Sequence, residues 1–155
     1  MTRQKPEPFR GLVVDQPYVE WILSGTKQWE IRGKATKLRG RIALIAKGTG
    51  TVVGTCNLID VRGPLKLADL KANAKRQNRK PADITSPLYY GDHTYAWVLS
   101  VARRLRTPVT YQHPSGAGVW VELNAHVTAK LRDASQRRGQ RKLTRSTAPS
   151  KKRKR

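Results

Sequence analysis

Residues 16–32 read QPYVEWILSGTKQWEIR, and how this stretch divides decides what can surround it. Pro17 suits the first turn of a helix, where its missing N–H leaves nothing unpaired, with Asp15 or Gln16 near the cap. Tyr18, Trp21 and Ile22 follow helical spacing, and Gly25 suits the left-handed position that ends a helix. From Lys27 the pattern turns to alternation: Gln28, Glu30 and Arg32 share one side, Trp29 and Ile31 the other. A short helix, a glycine turn and a strand are expected. Two readings of Lys27, Glu30 and Arg32 are open. On a solvated strand edge, charges discourage pairing with other chains. At a cavity mouth, a lysine beside a carboxylate could donate and accept protons if burial moved its pKa toward neutrality.

Outward from this stretch the chain alternates strand patterns with glycine turns. RGLVVD (10–15) reads as a first strand, and GKATKLRG is a basic loop ending at Gly40. RIALIAK and TVVGTCNLIDV are strands joined by GTG, and a helix is expected from about Leu65 to Gln77. Leu67 and Leu70 form its apolar side, while Lys71, Lys75 and Arg76 leave the rest basic. Residues 78–92 form a polar connection with two prolines. TYAWVLSVARRL is the strongest strand signal, RTPVTY is a further candidate, HPSGAG is a turn and VWVEL closes the series. Six or seven short strands with two short helices predict an α+β, mainly β fold, a small barrel that removes its own edges. The expected organisation is an N-terminal extension over 1–8, a barrel domain over 9–125, and a basic disordered tail over 126–155.

Charge indicates the partner. Among 155 residues, Lys and Arg number 32 against 10 Asp and Glu, a formal charge of +22. Such an excess repels itself in a compact state, and nucleic acid is the common polyanion that offsets it. An anionic membrane is the competing surface, but no long amphipathic apolar helix accompanies the charge. From His126 onward there are twelve Lys/Arg and one acid, half the net charge in a fifth of the length. That tail has few large apolar residues to offset chain entropy. Its KKRKR terminus reads as an import signal in a eukaryote or a nucleic-acid-binding arm in a bacterium. The first residues lack the apolar run of a signal peptide, and no stretch reaches the ~20 apolar residues of a membrane span. The lone Cys56 excludes an internal disulfide and a cysteine metal cluster. A cytoplasmic protein, or a nuclear or nucleoid-associated one, is expected, with a monomer favoured.

Other motifs carry less. KGTGTVVG has the wrong spacing for a phosphate loop and precedes a strand, so a hairpin turn is expected. His93, His113 and His126 are too dispersed for a metal site, and no cofactor is implied. Nothing resembles the nucleophile elbow of a serine hydrolase. Trp21, Trp29, Trp97 and Trp120 fill a core, or one of them stacks on a base.

QPYVEWILSGTKQWEIR followed by RGRIALIA resembles the ASCH domain, a branch of the PUA-like β-barrels linked to RNA. That family's run of Q-P-helix, G-x-K-x-x-E-x-R and then R-G falls on Gln16, Pro17, Gly25, Lys27, Glu30, Arg32, Arg39 and Gly40. YAWVLSVARRLRTPVTYQHPSGAGVWVEL resembles its closing segment, so the likeness spans about Phe9 to Leu123. It implies a small barrel with a cleft beside the first helix, lined by the G-x-K-x-x-E-x-R strand. Some relatives hydrolyse modified nucleosides or cleave RNA, and others bind. In amidohydrolase-type relatives the lysine at the place of Lys27 works with a threonine three residues on, where this chain has Glu30. They also use a glutamate in the midway helix, which here reads KANAKRQN and offers no carboxylate.

The leading expectation is a nucleic-acid-binding module, RNA favoured over DNA on the resemblance alone. Gln16, Tyr18, Lys27, Glu30, Arg32, Arg39, Lys75, Arg76, Tyr95 and Trp97 are its candidate ligand-binding residues. Glu30 would accept from a base amino group, Arg32 would hold a phosphate or carbonyl, and Tyr18, Tyr95 or Trp97 would stack. The alternative is a metal-independent ribonuclease or modified-nucleoside hydrolase with Lys27 and Glu30 as catalytic pair. A third reading is a basic scaffold docked by charge alone.

Overall fold

The computed structural model describes residues 7–85 and 91–146, with backbone alone over 138–146. Six strands form one sheet: β1 (Arg10–Val14), β2 (Trp29–Arg32), β3 (Gly40–Ala46), β4 (Thr51–Arg62), β5 (Tyr95–Thr110) and β6 (Trp120–Glu122). Their order is β2-β5-β4-β3-β1-β6. Among the described residues three α-helices accompany them: α1 (Tyr18–Leu23), α2 (Leu67–Ala72) and α3 (Ala125–Ser146). β1 and β3 are parallel, with Leu12 opposite Leu44, and the other pairings are antiparallel.

The sheet curls into a half-barrel. Its bend comes from the β4–β5 pair, whose register slips between Val52 and Gly54, between Thr55 and Asn57, and between Leu58 and Asp60. Each slip adds unpaired backbone on one strand and increases local twist. Gly54 lies at such a place because a Cβ there would stand 2.6 Å from the Arg103 carbonyl oxygen. The two sequence candidates TYAWVLSVARRL and RTPVTY are therefore one bent strand.

The barrel expected from the strand pattern is a half-barrel whose backbone pairing leaves β2 and β6 as edges. Side chains bridge the opening. Arg32 of β2 donates from Nη2 to the Val13 carbonyl of β1 at 2.9 Å. Trp97 of β5 stacks on Trp120 of β6, centroids 5.5 Å apart and planes within 13°, and Trp97 Nε1 donates to the Lys34 carbonyl at 2.8 Å.

The inner face holds the main core, in which Leu12, Val14, Leu44, Cys56, Leu58, Trp97 and Leu99 meet Val19, Ile22 and Leu23 of α1. Burial pushes the Cys56 thiol up to about 12, so it stays protonated and serves as a small apolar filler. On the outer face, Trp29, Ala96 and Val98 pack with Ile31 and Leu65. The α2 segment extends this cover through Leu70, Ala74 and Ile84. The helix expected over 65–77 ends at Ala72 and continues as a 3-10 turn, Ala74–Gln77. Asn78, at φ 55°, stops it, as a side chain that tolerates the left-handed region can.

The largest difference from expectation is at the C-terminal end. The tail was placed from residue 126 onward and only two helices were foreseen, yet α3 begins at Ala125 and runs through Ser146. Asn124 Oδ1 accepts from Val127 N at 2.9 Å, capping the helix. Val127 and Leu131 are buried against Ala43, Ile45, Val52, Val121 and Leu123. Thr128 Oγ1 accepts from Phe9 N at 3.2 Å. Two apolar side chains at i and i+4, worth about 1.5–3 kcal/mol each on burial, dock a segment whose composition is dominated by charge. The KKRKR run lies outside the described residues. No described helix is long and apolar enough to cross a membrane.

Candidate functional site

Gly25, at φ 82°, ends α1 and reverses the chain. The turn is pinned on one acceptor: Ser24 Oγ and Thr26 Oγ1 both donate to the Trp21 carbonyl, at 3.1 and 3.2 Å, as does Lys27 N at 3.0 Å. Gln28 N then donates to the Arg76 carbonyl at 2.7 Å, and Gln28 O accepts from Leu99 N at 2.8 Å. Lys27 is thereby held inward at 6 % exposure. Its Nζ lies 5.6 Å from the ring centroid of Tyr18, itself 42 % exposed on α1. Tyr18 in turn meets Trp21 edge to face at 5.3 Å.

Glu30 stands directly opposite Trp97, and Arg32 opposite Tyr95, so both charged side chains share the inner face with the main core. The solvated-edge reading fails for Glu30, which is 8 % exposed. Its Oε1 is 3.5 Å from Arg32 Nε, and the guanidinium lies 5.7 Å from the Trp97 ring. Glu30 Oε2 and Arg32 Nε are both buried without a hydrogen-bond partner. The ion pair thus leaves an acceptor and a donor short of a full hydrogen bond, which a polar ligand could supply.

Burial sets the protonation of the pair. It holds the Lys27 ammonium below its ordinary pKa; Glu30 partly opposes this, while Arg79 and Arg32 add to it. Glu30 is raised by the same loss of solvent, against the pull of Lys27 and Arg32 and with a push from Asp15. Both groups are displaced toward their neutral forms, which eases proton exchange.

Next to this buried cluster, Trp21, Lys75, Asn78, Arg79, Lys80 and Asp83 line an open cleft of about 540 Å³. Arg79 connects the two, since it borders the cleft and acts on Lys27. Its Nη2 donates to the Asp83 carbonyl at 2.7 Å. The volume is in the range of small-ligand sites.

Lys27, Glu30, Arg32 and Trp97 come together, with Tyr18 at the rim. Trp97, at 3 % exposure, is already stacked on Trp120, so no free face is offered as an exposed platform. Tyr95 is half-buried beside Arg32. Gln16 is exposed at the entry to α1. Arg39 is exposed on its loop and donates to the Thr36 and Leu38 carbonyls. Lys75 borders the cleft, whereas Arg76 reaches the outer ring of Trp29 at 5.8 Å. Asp15 and Arg79 were missed as site residues, whereas Trp21 and Trp120 were named only among the tryptophans of which one could stack. Arg79 carried a signal as a cation in a basic segment, and Asp15 depends on how the sheet curls. Among the described residues no group of three or more His, Cys, Asp or Glu could hold a metal.

The profile of the ASCH domain matches residues 12–109. No curated protein sequence matches the chain. Among solved structures, ASCH from Zymomonas mobilis is similar at 17% identity and TM-score 0.62, over 81% of this chain and 94% of that one. A single-site variant of the same protein gives 18% identity and TM-score 0.61, over 81% and 97%. These structures share the fold, and the match over residues 12–109 places this chain in the ASCH domain family.

Proposed function

We propose that this protein binds nucleic acid, RNA in preference to DNA, by receiving a base or strand end in the Lys27–Glu30–Arg32 pocket. The observation that carries this is the buried Glu30–Arg32 ion pair at 3.5 Å, in which Glu30 Oε2 and Arg32 Nε still lack a hydrogen-bond partner. A base edge presents a donor beside an acceptor, which answers both atoms. A phosphate would meet the Glu30 carboxyl and is the poorer fit. Lys75, Arg79 and Lys80, in the neighbouring cleft, suit the backbone instead. Tyr18, exposed beside Lys27, is the available stacking ring. The preference for RNA rests on PUA-like folds being often associated with RNA binding.

A second reading, a ribonuclease or a hydrolase of modified nucleosides, is favoured by the displaced protonation of Lys27 and Glu30. Lys27 would transfer the proton or stabilise the transition-state charge. One assay separates the two. End-labelled single-stranded RNA, duplex RNA and DNA are incubated, with chelator, with wild type and Lys27→Ala, and mobility shift and product length are read together. Binding predicts shifted, intact RNA, weakened by Lys27→Ala beyond the loss of one charge. Shortened or altered RNA with wild type alone would make the pocket an active site.

A further inference from the structure

Among the described residues, three buried side-chain atoms lack a hydrogen-bond partner: Glu30 Oε2, Arg32 Nε and Trp29 Nε1. The first two belong to one ion pair. Trp29 Nε1 belongs to no site described above. A buried indole normally finds an acceptor for its N–H, as Trp97 does on the Lys34 carbonyl at 2.8 Å. Trp29 is 1 % exposed, so bulk water is kept from it. Its packing partners on the outer face, Ile31, Leu65, Ala96 and Val98, are apolar. Phenylalanine would fill that setting without stranding a donor.

What stands over the ring is charge. The Arg62 guanidinium lies 5.7 Å from its centroid, and that of Arg76 lies 5.8 Å away. The sheet brings the first: Ile31, Ala96 and Arg62 form one cross-strand row, beside the row of Trp29, Val98 and Asp60. Ala96 is small, which leaves Arg62 room to reach across β5. The 3-10 turn brings the second, since the Arg76 carbonyl accepts from Gln28 N, next to Trp29. Arg62 Nε pairs with Asp60 at 3.4 Å, whereas Arg76 has no acidic partner among the described residues. Two guanidiniums and one carboxylate leave a net positive charge beside an unmet N–H. Attraction to the ring accounts for the arginines but not for the stranded donor.

We propose that Trp29, Arg62 and Arg76 form an oxyanion site that takes a phosphate group, on the opposite face of β2 from Glu30. A phosphate has acceptor oxygens on every side. It can therefore take the indole N–H and both guanidiniums together, at about 2.7–2.9 Å each. Arg62 and Arg76 are exposed and long, so they can swing to admit it, while the sheet fixes the ring. Nothing in the site uses Lys27, Glu30 or Arg32, so it does not rest on the pocket reading.

The test reads the indole itself. Heteronuclear NMR of the isotopically labelled full-length protein gives one indole N–H resonance per tryptophan, and Trp29→Phe identifies that of Trp29. Inorganic phosphate, sodium chloride at matched ionic strength and a single-stranded RNA are each titrated. The inference expects a saturable shift with phosphate that chloride does not produce. Arg76→Gln weakens it about fivefold, as for one exposed charge-assisted hydrogen bond. Arg106→Gln, the same loss at an exposed position of β5, leaves it unchanged. Trp29→Phe gains less melting temperature from phosphate than wild type does. A shift with RNA that Arg76→Gln abolishes assigns the site to backbone phosphates, and a shift with phosphate alone assigns it to a free phosphate group. A resonance that neither moves, that chloride moves as far, or whose shift survives Arg76→Gln at full affinity overturns the site. Lys27→Ala keeps the phosphate shift whatever becomes of the Glu30 pocket, so the two readings fail separately.

Discussion

Glu30 is the residue on which most of the account turns. Alternation placed it with Arg32, opposite Trp29 and Ile31, and the structure agrees. What alternation does not give is which side is inside, since both faces of this strand are covered. Trp29 packs outward under Leu65, and Glu30 faces the core behind Trp97. The hydrogen bond from Arg32 to Val13 is equally hidden from the sequence, because it spans the opening of the half-barrel. The raised Glu30 pKa has a signed consequence. Below its ordinary pKa near 4.5 the carboxyl is protonated both folded and unfolded. As pH rises toward the raised folded value, the unfolded state releases its proton first, so wild type loses stability. Glu30→Gln does not titrate. Its melting temperature relative to wild type should therefore climb between pH 4 and 7, and a constant difference would refute the buried-acid description.

α3 shows how composition can conceal an element. Twelve basic residues after His126 outweighed three large apolar ones, Val127, Leu131 and Leu143, and the segment read as a tail. Yet Val127 and Leu131 at i, i+4, behind the Asn124 cap, contain the docking signal. α1 and its turn were legible for the opposite reason: Pro17, Gly25 and the switch of period at Lys27 are local. The division of the segment after Lys66 into α2 and a 3-10 turn was not, because Gln77 anchors it through Nε2 to the Leu70 carbonyl at 2.9 Å. If the first turns of α3 belong to the domain, Leu131→Ala should cost about 2–5 kcal/mol. Equilibrium denaturation of the full chain would measure this, and a change within ±0.5 kcal/mol would return the whole helix to the status of an appendage.

At the scale of the molecule, the half-barrel gathers a cluster of buried charged groups and, beside it, a basic cleft. The fold class was readable because strand alternation and glycine turns repeat along the chain. That Lys27, Glu30 and Arg32 share one side of the strand was readable from alternation; that this side is buried was not. Net charge makes every nucleic-acid experiment ambiguous, since +22 alone gives affinity. Glu30→Met removes that ambiguity, because it replaces a carboxyl of similar size without lowering the positive charge. Attraction by charge alone requires this variant to bind single-stranded RNA as well as wild type, or better. A base seated on Glu30 requires weaker binding, by about tenfold for one lost buried hydrogen bond to a group of this kind. The decisive measurement is that comparison, at one fixed salt concentration and with a melt to confirm folding. Weaker binding supports a recognition pocket at Glu30, and equal or tighter binding contradicts it.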